Sequence, residues 1–265
     1  MSHKTIATLM QMKHEGEKIT MLTSYDASFT RVLEDAGVDA ILVGDSLGMV
    51  IQGQESTLPV GVDEMVYHTR CVARGRRDAL LIADMPFMSY SSADQALSTA
   101  SRLMKAGGAH MVKLEGGATQ LETVRQLTAN GIPVCAHLGL LPQSVHKLGG
   151  YRVQGKDEES AREIKEDAMA LEATGAQMLV LECVPKALAA EISRLLTIPV
   201  IGIGAGVDCD GQVLVVYDML GITSGRRPRF VKDFMPETGS VPGAVSAFVK
   251  AVKEKRFPTD EHSFK

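Results

Sequence analysis

Residues 177–182 read Gln177-Met178-Leu179-Val180-Leu181-Glu182, an unbroken apolar run closed by a carboxylate. A strand with one wet face alternates apolar and polar residues, whereas a run apolar on both sides needs cover on both faces, as in a parallel sheet flanked by helices. Similar runs rich in Val, Ile and Leu lie at 19–23, 40–43, 79–83, 110–114, 132–136 and 199–203, with a weaker eighth at 212–216. Each is followed by Gly or Asp and then by a stretch of helical period, which makes a βα repeat. No linker or low-complexity tract divides the 265 residues. The expectation is an α/β fold, a (β/α)8 TIM barrel forming one domain over 1–265, in keeping with the roughly 250 residues such barrels use. An open doubly wound sheet fits less well. In Gly202-Ile203-Gly204-Ala205-Gly206-Val207 a valine stands where the dinucleotide fingerprint needs its third glycine, and the string comes late in the chain.

Several boundaries are legible. Ser92 and Gln95 have capping-box spacing before a helix through Ala96, Ala100 and Met104 that should end at Gly107. Pro185 fits the first turn of a helix continuing over 187–196, and 157–173 reads as a solvated amphipathic helix. The connection from Gly139 to Asp157 is long and Gly-rich, as lids and site walls often are.

Composition excludes several classes. Twenty-eight Lys and Arg against 32 Asp and Glu give a net charge of -4, without the basic footprint of a nucleic-acid binder. No apolar run approaches the ~18 residues that span a bilayer. The first ten residues lack a signal peptide's apolar segment and cleavage site. Cys71, Cys135, Cys183 and Cys209 form no C-x-x-C, which suits free thiols in a reducing compartment, so a cytoplasmic location is expected.

The ionisable residues gather at the C-terminal ends of the strand candidates: Tyr25-Asp26, Asp45-Ser46, Asp84, Lys113 with Glu115, His137 and Glu182. In a barrel these ends meet at one mouth, where the active sites of this fold lie. A lone Asp26 or Asp45 is more often a cap, and a lone His137 is as readily a core histidine. Together they are harder to explain structurally, because several buried charges at one mouth need partners or a metal. Lys113 and Glu115, two apart on a strand, face the same side and are expected to pair or share a ligand. Asp45, Asp84 and Glu115 form a hard oxygen set suited to Mg2+, with Glu115 the one expected to act through water. Glu182 is the candidate general base.

The ordered strings Thr23-Ser24-Tyr25-Asp26, 42–49 (Leu-Val-Gly-Asp-Ser-Leu-Gly-Met), 83–88 (Ala-Asp-Met-Pro-Phe-Met), 112–117 (Val-Lys-Leu-Glu-Gly-Gly), His137-Leu138-Gly139, Leu181-Glu182-Cys183-Val184-Pro185 and 201–206 resemble the ketopantoate hydroxymethyltransferase family. The resemblance covers nearly the whole chain. It implies a (β/α)8 barrel that uses Mg2+ and transfers a one-carbon unit from 5,10-methylenetetrahydrofolate to 3-methyl-2-oxobutanoate. It further implies that Asp45 and Asp84 are metal ligands and substrate contacts, with Glu115 as an outer ligand. Ser46 and Lys113, with His137 at lower weight, would touch the keto acid, and Glu182 would accept the proton. Ala136 stands where the family often has Gly before the strand-five histidine. A homo-oligomer, commonly a decamer, is implied too. Two other readings share the metal set: an Mg2+-dependent barrel that cleaves or rearranges α-keto acids, which needs no pterin site, and a non-catalytic keto-acid-binding barrel, which needs no Glu182.

Overall fold

The computed structural model describes residues 3–223 and 227–265. Eight strands close into a wholly parallel barrel in chain order: β1 (Ile19–Thr23), β2 (Ala40–Val43), β3 (Leu80–Asp84), β4 (Met111–Glu115), β5 (Val134–Gly139), β6 (Met178–Glu182), β7 (Val200–Ile203) and β8 (Gly211–Leu214), with β8 pairing back onto β1. Nearly every strand residue is buried, as continuous apolar runs demand when side chains pack both inside the barrel and outward against helices. The eighth strand differs from its expected span. It starts at Gly211, where a Cβ would stand 2.4 Å from the Ile19 carbonyl oxygen, so only glycine permits this approach to β1. It ends before Val216, which opens the helix Val216–Met219 and donates its N–H to Thr23 Oγ1 at 3.0 Å.

The caps explain the helix boundaries. Asp26 accepts the N–H groups of Ser28 and Phe29 at the start of Ala27–Asp35, so its role is a cap. Ser92 caps Ala93–Arg102 through the Gln95 N–H, but the Gln95 side chain reaches back to Ser91 instead of Ser92, leaving the expected box one residue out of step. The helix runs past Arg102 as a wider turn, Leu103–Gly107, and stops at Gly108 with φ 87°. The stop falls one residue beyond expectation because Gly107 is used for a different purpose, close contact with Thr69. Pro185 precedes Lys186–Leu195 as its cap rather than entering the first turn, and Asp157 caps Glu158–Thr174. Each glycine of 202–206 is closely packed, Gly202 against Cys209, Gly204 against Phe230 and Phe264, and Gly206 against Lys186, which accounts for all three by packing. All four cysteines are free thiols. Among the described residues no helix is long and apolar enough to cross a membrane.

Candidate active site

A cavity of about 1390 Å³ opens at the C-terminal ends of the strands, lined by Asp45, Ser46, Asp84, Lys113, Glu115, His137 and Glu182. The barrel therefore brings together every site residue singled out from the sequence. Register places the chemistry. Asp84 on β3 pairs with Lys113 on β4, Glu115 pairs with His137 on β5, and Gly139 pairs with Glu182 on β6. Acid, lysine and histidine thus stand side by side around one rim.

Lys113 Nζ lies 2.9 Å from Asp84 Oδ1, an ion pair in which both side chains are almost inaccessible. The expected pairing of Lys113 with Glu115 is not the one formed, because the cross-strand neighbour in register is Asp84. The pairing geometry leaves Asp84 Oδ1 without a directed hydrogen bond, while Oδ2 accepts the Asp45 N–H at 3.0 Å. Asp45 Oδ2 accepts from Gln143 Nε2 at 2.8 Å, and Glu115 Oε2 from the Gln143 backbone N–H at 3.0 Å. Gln143 thus holds one oxygen each of Asp45 and Glu115, while Asp84 has both oxygens engaged, Oδ1 by Lys113 and Oδ2 by the Asp45 N–H.

The electrostatics follow from burial. Burial, aggravated by Asp84 and Glu115, holds the Asp45 carboxyl well above the usual carboxylate range. Glu115 is pushed up to about 7, chiefly by burial and with the Lys113 charge opposing it. Burial would lower the Lys113 ammonium, but Asp84, Glu115 and Asp45 outweigh it and keep the group protonated. Burial and Lys113 together lower His137, so its imidazole is neutral near pH 7. His137 Nδ1 lies 3.4 Å from both Lys113 Nζ and Glu115 Oε1, and the second ring nitrogen is Nε2. That nitrogen faces Glu182 Oε2 at 3.3 Å without a well-aligned hydrogen bond. Glu182, 13% exposed, is more open than Asp45, Asp84 or Glu115. Ser46 Oγ sits 2.8 Å from the buried Tyr25 hydroxyl.

Among the described residues no three His, Cys, Asp or Glu side chains are arranged to enclose a metal ion alone. The donor set nevertheless fits Mg2+, which takes one or two carboxylates and leaves its other positions to water and substrate. The chemistry of the donor set favours the fit: Asp45, Asp84 and Glu115 are buried oxygen donors lining one cavity, with no sulfur among them.

The sequence missed Gln143 and Tyr90, which hydrogen-bond each other at 2.5 Å behind the carboxylates. Pro142-Gln143 lies in the Gly-rich connection already singled out, and that connection does wall the cavity, through Leu140, Pro142, Tyr151 and Val153. Tyr90 gave no signal, because nothing in its local string marks the hydroxyl as buried.

The sequence profile described as "Ketopantoate hydroxymethyltransferase" matches residues 3–260. The chain belongs to the ketopantoate hydroxymethyltransferase family. It is accordingly an enzyme, and the family resemblance inferred from the motifs holds. A 3-methyl-2-oxobutanoate hydroxymethyltransferase of Nitrosococcus oceani is 60% identical over 264 residues, 100% of both chains. One of Marinobacter nauticus is 59% identical over 261 residues, 98% of each. Among solved structures, a putative phosphonomutase from Burkholderia cenocepacia has a TM-score of 0.62 at 17% identity, over 82% of this chain and 94% of its own. A phosphonopyruvate hydrolase gives 0.63 at 14%, over 83% and 84%. At that identity the likeness speaks for the barrel alone.

Proposed function

We propose that this enzyme joins the one-carbon unit of 5,10-methylenetetrahydrofolate to 3-methyl-2-oxobutanoate, with water, giving 2-dehydropantoate (ketopantoate) and tetrahydrofolate, the entry step to pantothenate. The supporting observation is the cavity itself: three buried carboxylates and a protonated Lys113 at its base, with a fourth carboxylate, Glu182, toward solvent.

Asp45 and Asp84 would hold Mg2+, with Glu115 reaching it through water. When bound, the ion supplies Lewis acidity, polarising the keto group and acidifying the neighbouring C–H. Glu182 removes the C3 proton. Its more open position lets substrate reach it, with His137 Nε2 3.3 Å from its Oε2. Lys113, fixed and desolvated, offsets the negative charge of the keto acid and of the enolate oxygen. Ser46, oriented by Tyr25, donates to a substrate oxygen. The enolate carbon then bonds to the donor's methylene carbon, whose two C–N bonds break; water supplies the new hydroxyl, and the proton from water and the proton taken from C3 end on the two folate nitrogens of tetrahydrofolate. A five-carbon keto acid fills only part of about 1390 Å³, and the wall bearing Tyr217, Ile222, Phe230 and Phe264 leaves room for a flat aromatic donor. Free cysteines agree with work in the cytoplasm.

Deprotonation requires no folate, so the decisive experiment omits it. In D2O with Mg2+, the enzyme should exchange the C3 hydrogen of 3-methyl-2-oxobutanoate, collapsing the methyl doublet in proton NMR. Folate-dependent turnover without any such exchange would mean that deprotonation waits for the donor; neither activity would reject the reading.

A further inference from the structure

Gln143 lies in the turn Pro142–Ser144 after β5 and is 5% exposed. Its side chain is fully engaged. Nε2 donates to Asp45 Oδ2 at 2.8 Å and to the Met85 carbonyl at 3.0 Å, and Oε1 accepts from the Tyr90 hydroxyl at 2.5 Å. The amide has one possible orientation. Turned over, its oxygen would confront a carboxylate and a carbonyl, two acceptors with no proton between them. The Tyr90 oxygen lies 3.4 Å from the Glu115 N–H and accepts from it, which commits its own proton to Gln143. Through its backbone N–H the same glutamine holds Glu115 Oε2 at 3.0 Å.

One residue on the β5 connection therefore fixes an oxygen of a β2 carboxylate and an oxygen of a β4 carboxylate. The inner face of Asp45 is left for the cavity. We propose that Gln143 is a positioning residue for the cation pocket, aiming Asp45 and Glu115 while Tyr90 locks its amide. This rests on the reading of Asp45 and Asp84 as Mg2+ ligands. The choice of an amide has a physical reason: a lysine or arginine here would orient Asp45 but also neutralise it, competing with the ion. A neutral donor sets direction and leaves the charge available. Saturated with partners and buried, Gln143 has no free polar atom to offer a substrate.

The test is Mn2+ binding, followed by the electron paramagnetic resonance signal of free Mn2+ with the full chain and no substrate. Gln143→Met conserves volume and removes the amide. Its dissociation constant should rise about 10- to 100-fold, the usual effect of losing a partner that orients a ligand. Tyr90→Phe keeps the amide but frees it, and should weaken binding in the same direction by less. The double variant should be no worse than Gln143→Met, since Tyr90 acts through Gln143. A glutamine serving only stability would lower the melting temperature and leave Mn2+ affinity unchanged, and that result in folded Gln143→Met overturns the proposal. If Gln143→Met does not fold, Tyr90→Phe decides, and unchanged affinity there overturns it equally. Failure of the wild-type chain to bind Mn2+ would reject the cation reading itself, a result seen before any variant is made.

Discussion

Lys113 and Asp84 are register partners on adjacent parallel strands, and their charged atoms meet at 2.9 Å inside the barrel mouth. Neither has water to fall back on. Lys113→Met keeps the stem and deletes the charge, leaving Asp84 uncompensated among Asp45 and Glu115. Removing one member of a buried pair costs about 3–5 kcal/mol. The variant should melt lower, recover part of that loss when Mg2+ is added, and stay slow at saturating Mg2+. Thermal unfolding with and without the ion, beside steady-state rates, checks all three.

Asp84→Asn preserves shape and removes the charge that the proposed site would offer Mg2+. Since losing a mere orienting partner weakens metal sites about 10- to 100-fold, losing this charge should raise the half-saturating Mg2+ by at least as much. An Mg2+ titration of activity matching wild type would take Asp84 out of the metal site.

Glu182→Gln should still bind keto acid, because the substitution is isosteric at the cavity edge, but an amide cannot accept the C3 proton. Deuterium exchange should fall about 10²- to 10⁴-fold, the usual contribution of a general base. Exchange at the wild-type rate would move the base elsewhere, with His137, 3.3 Å away, next in line.

At the opposite end of the barrel Asp39 is ringed by Lys4 (2.6 Å), Lys253 (2.8 Å) and the Thr20 N–H and hydroxyl. Burial would raise its pKa, but the two lysines outweigh it and hold the carboxyl below its usual range. A carboxylate depressed in the folded state contributes stability that is complete above its unfolded pKa of about 3.9 and lost as pH falls through the folded value. Asp39→Asn should therefore lose roughly 1–3 kcal/mol at pH 7 and show a flatter stability profile below about pH 4. Urea unfolding at both pH values measures the difference; equal losses at pH 7 and pH 3 would contradict it.

The strands were legible because double-sided burial leaves short apolar runs, as in 178–181 with no polar residue at all, and their length and recurrence between helical stretches set them apart from buried helix. The eighth was blurred at its end. Val215 and Val216 look like strand, but a helix start anchored on Thr23 takes Val216, and Thr23 is 193 residues away. That Asp45, Ser46, Asp84, Lys113, Glu115, His137 and Glu182 meet at one mouth was legible residue by residue, since the strand ends converge there in this architecture. The wiring of the site was not. Lys113 choosing Asp84 over Glu115 depends on the stagger between β3 and β4, and Gln143 reaches Asp45 across 98 residues. Spacing along one chain encodes neither.

The gathering of Asp45, Asp84 and Glu115 around a single lysine has a bearing on engineering. In the absence of a bound cation these like charges strain the mouth of the barrel, so neutral substitutions at Asp45 are among the easiest routes to a higher melting temperature. A directed-evolution campaign scored on heat resistance alone would be drawn to that change and would collect robust, inactive barrels. If Asp45 holds the ion as proposed, selection must demand turnover at every round, because durability and catalysis then compete in this corner of the molecule.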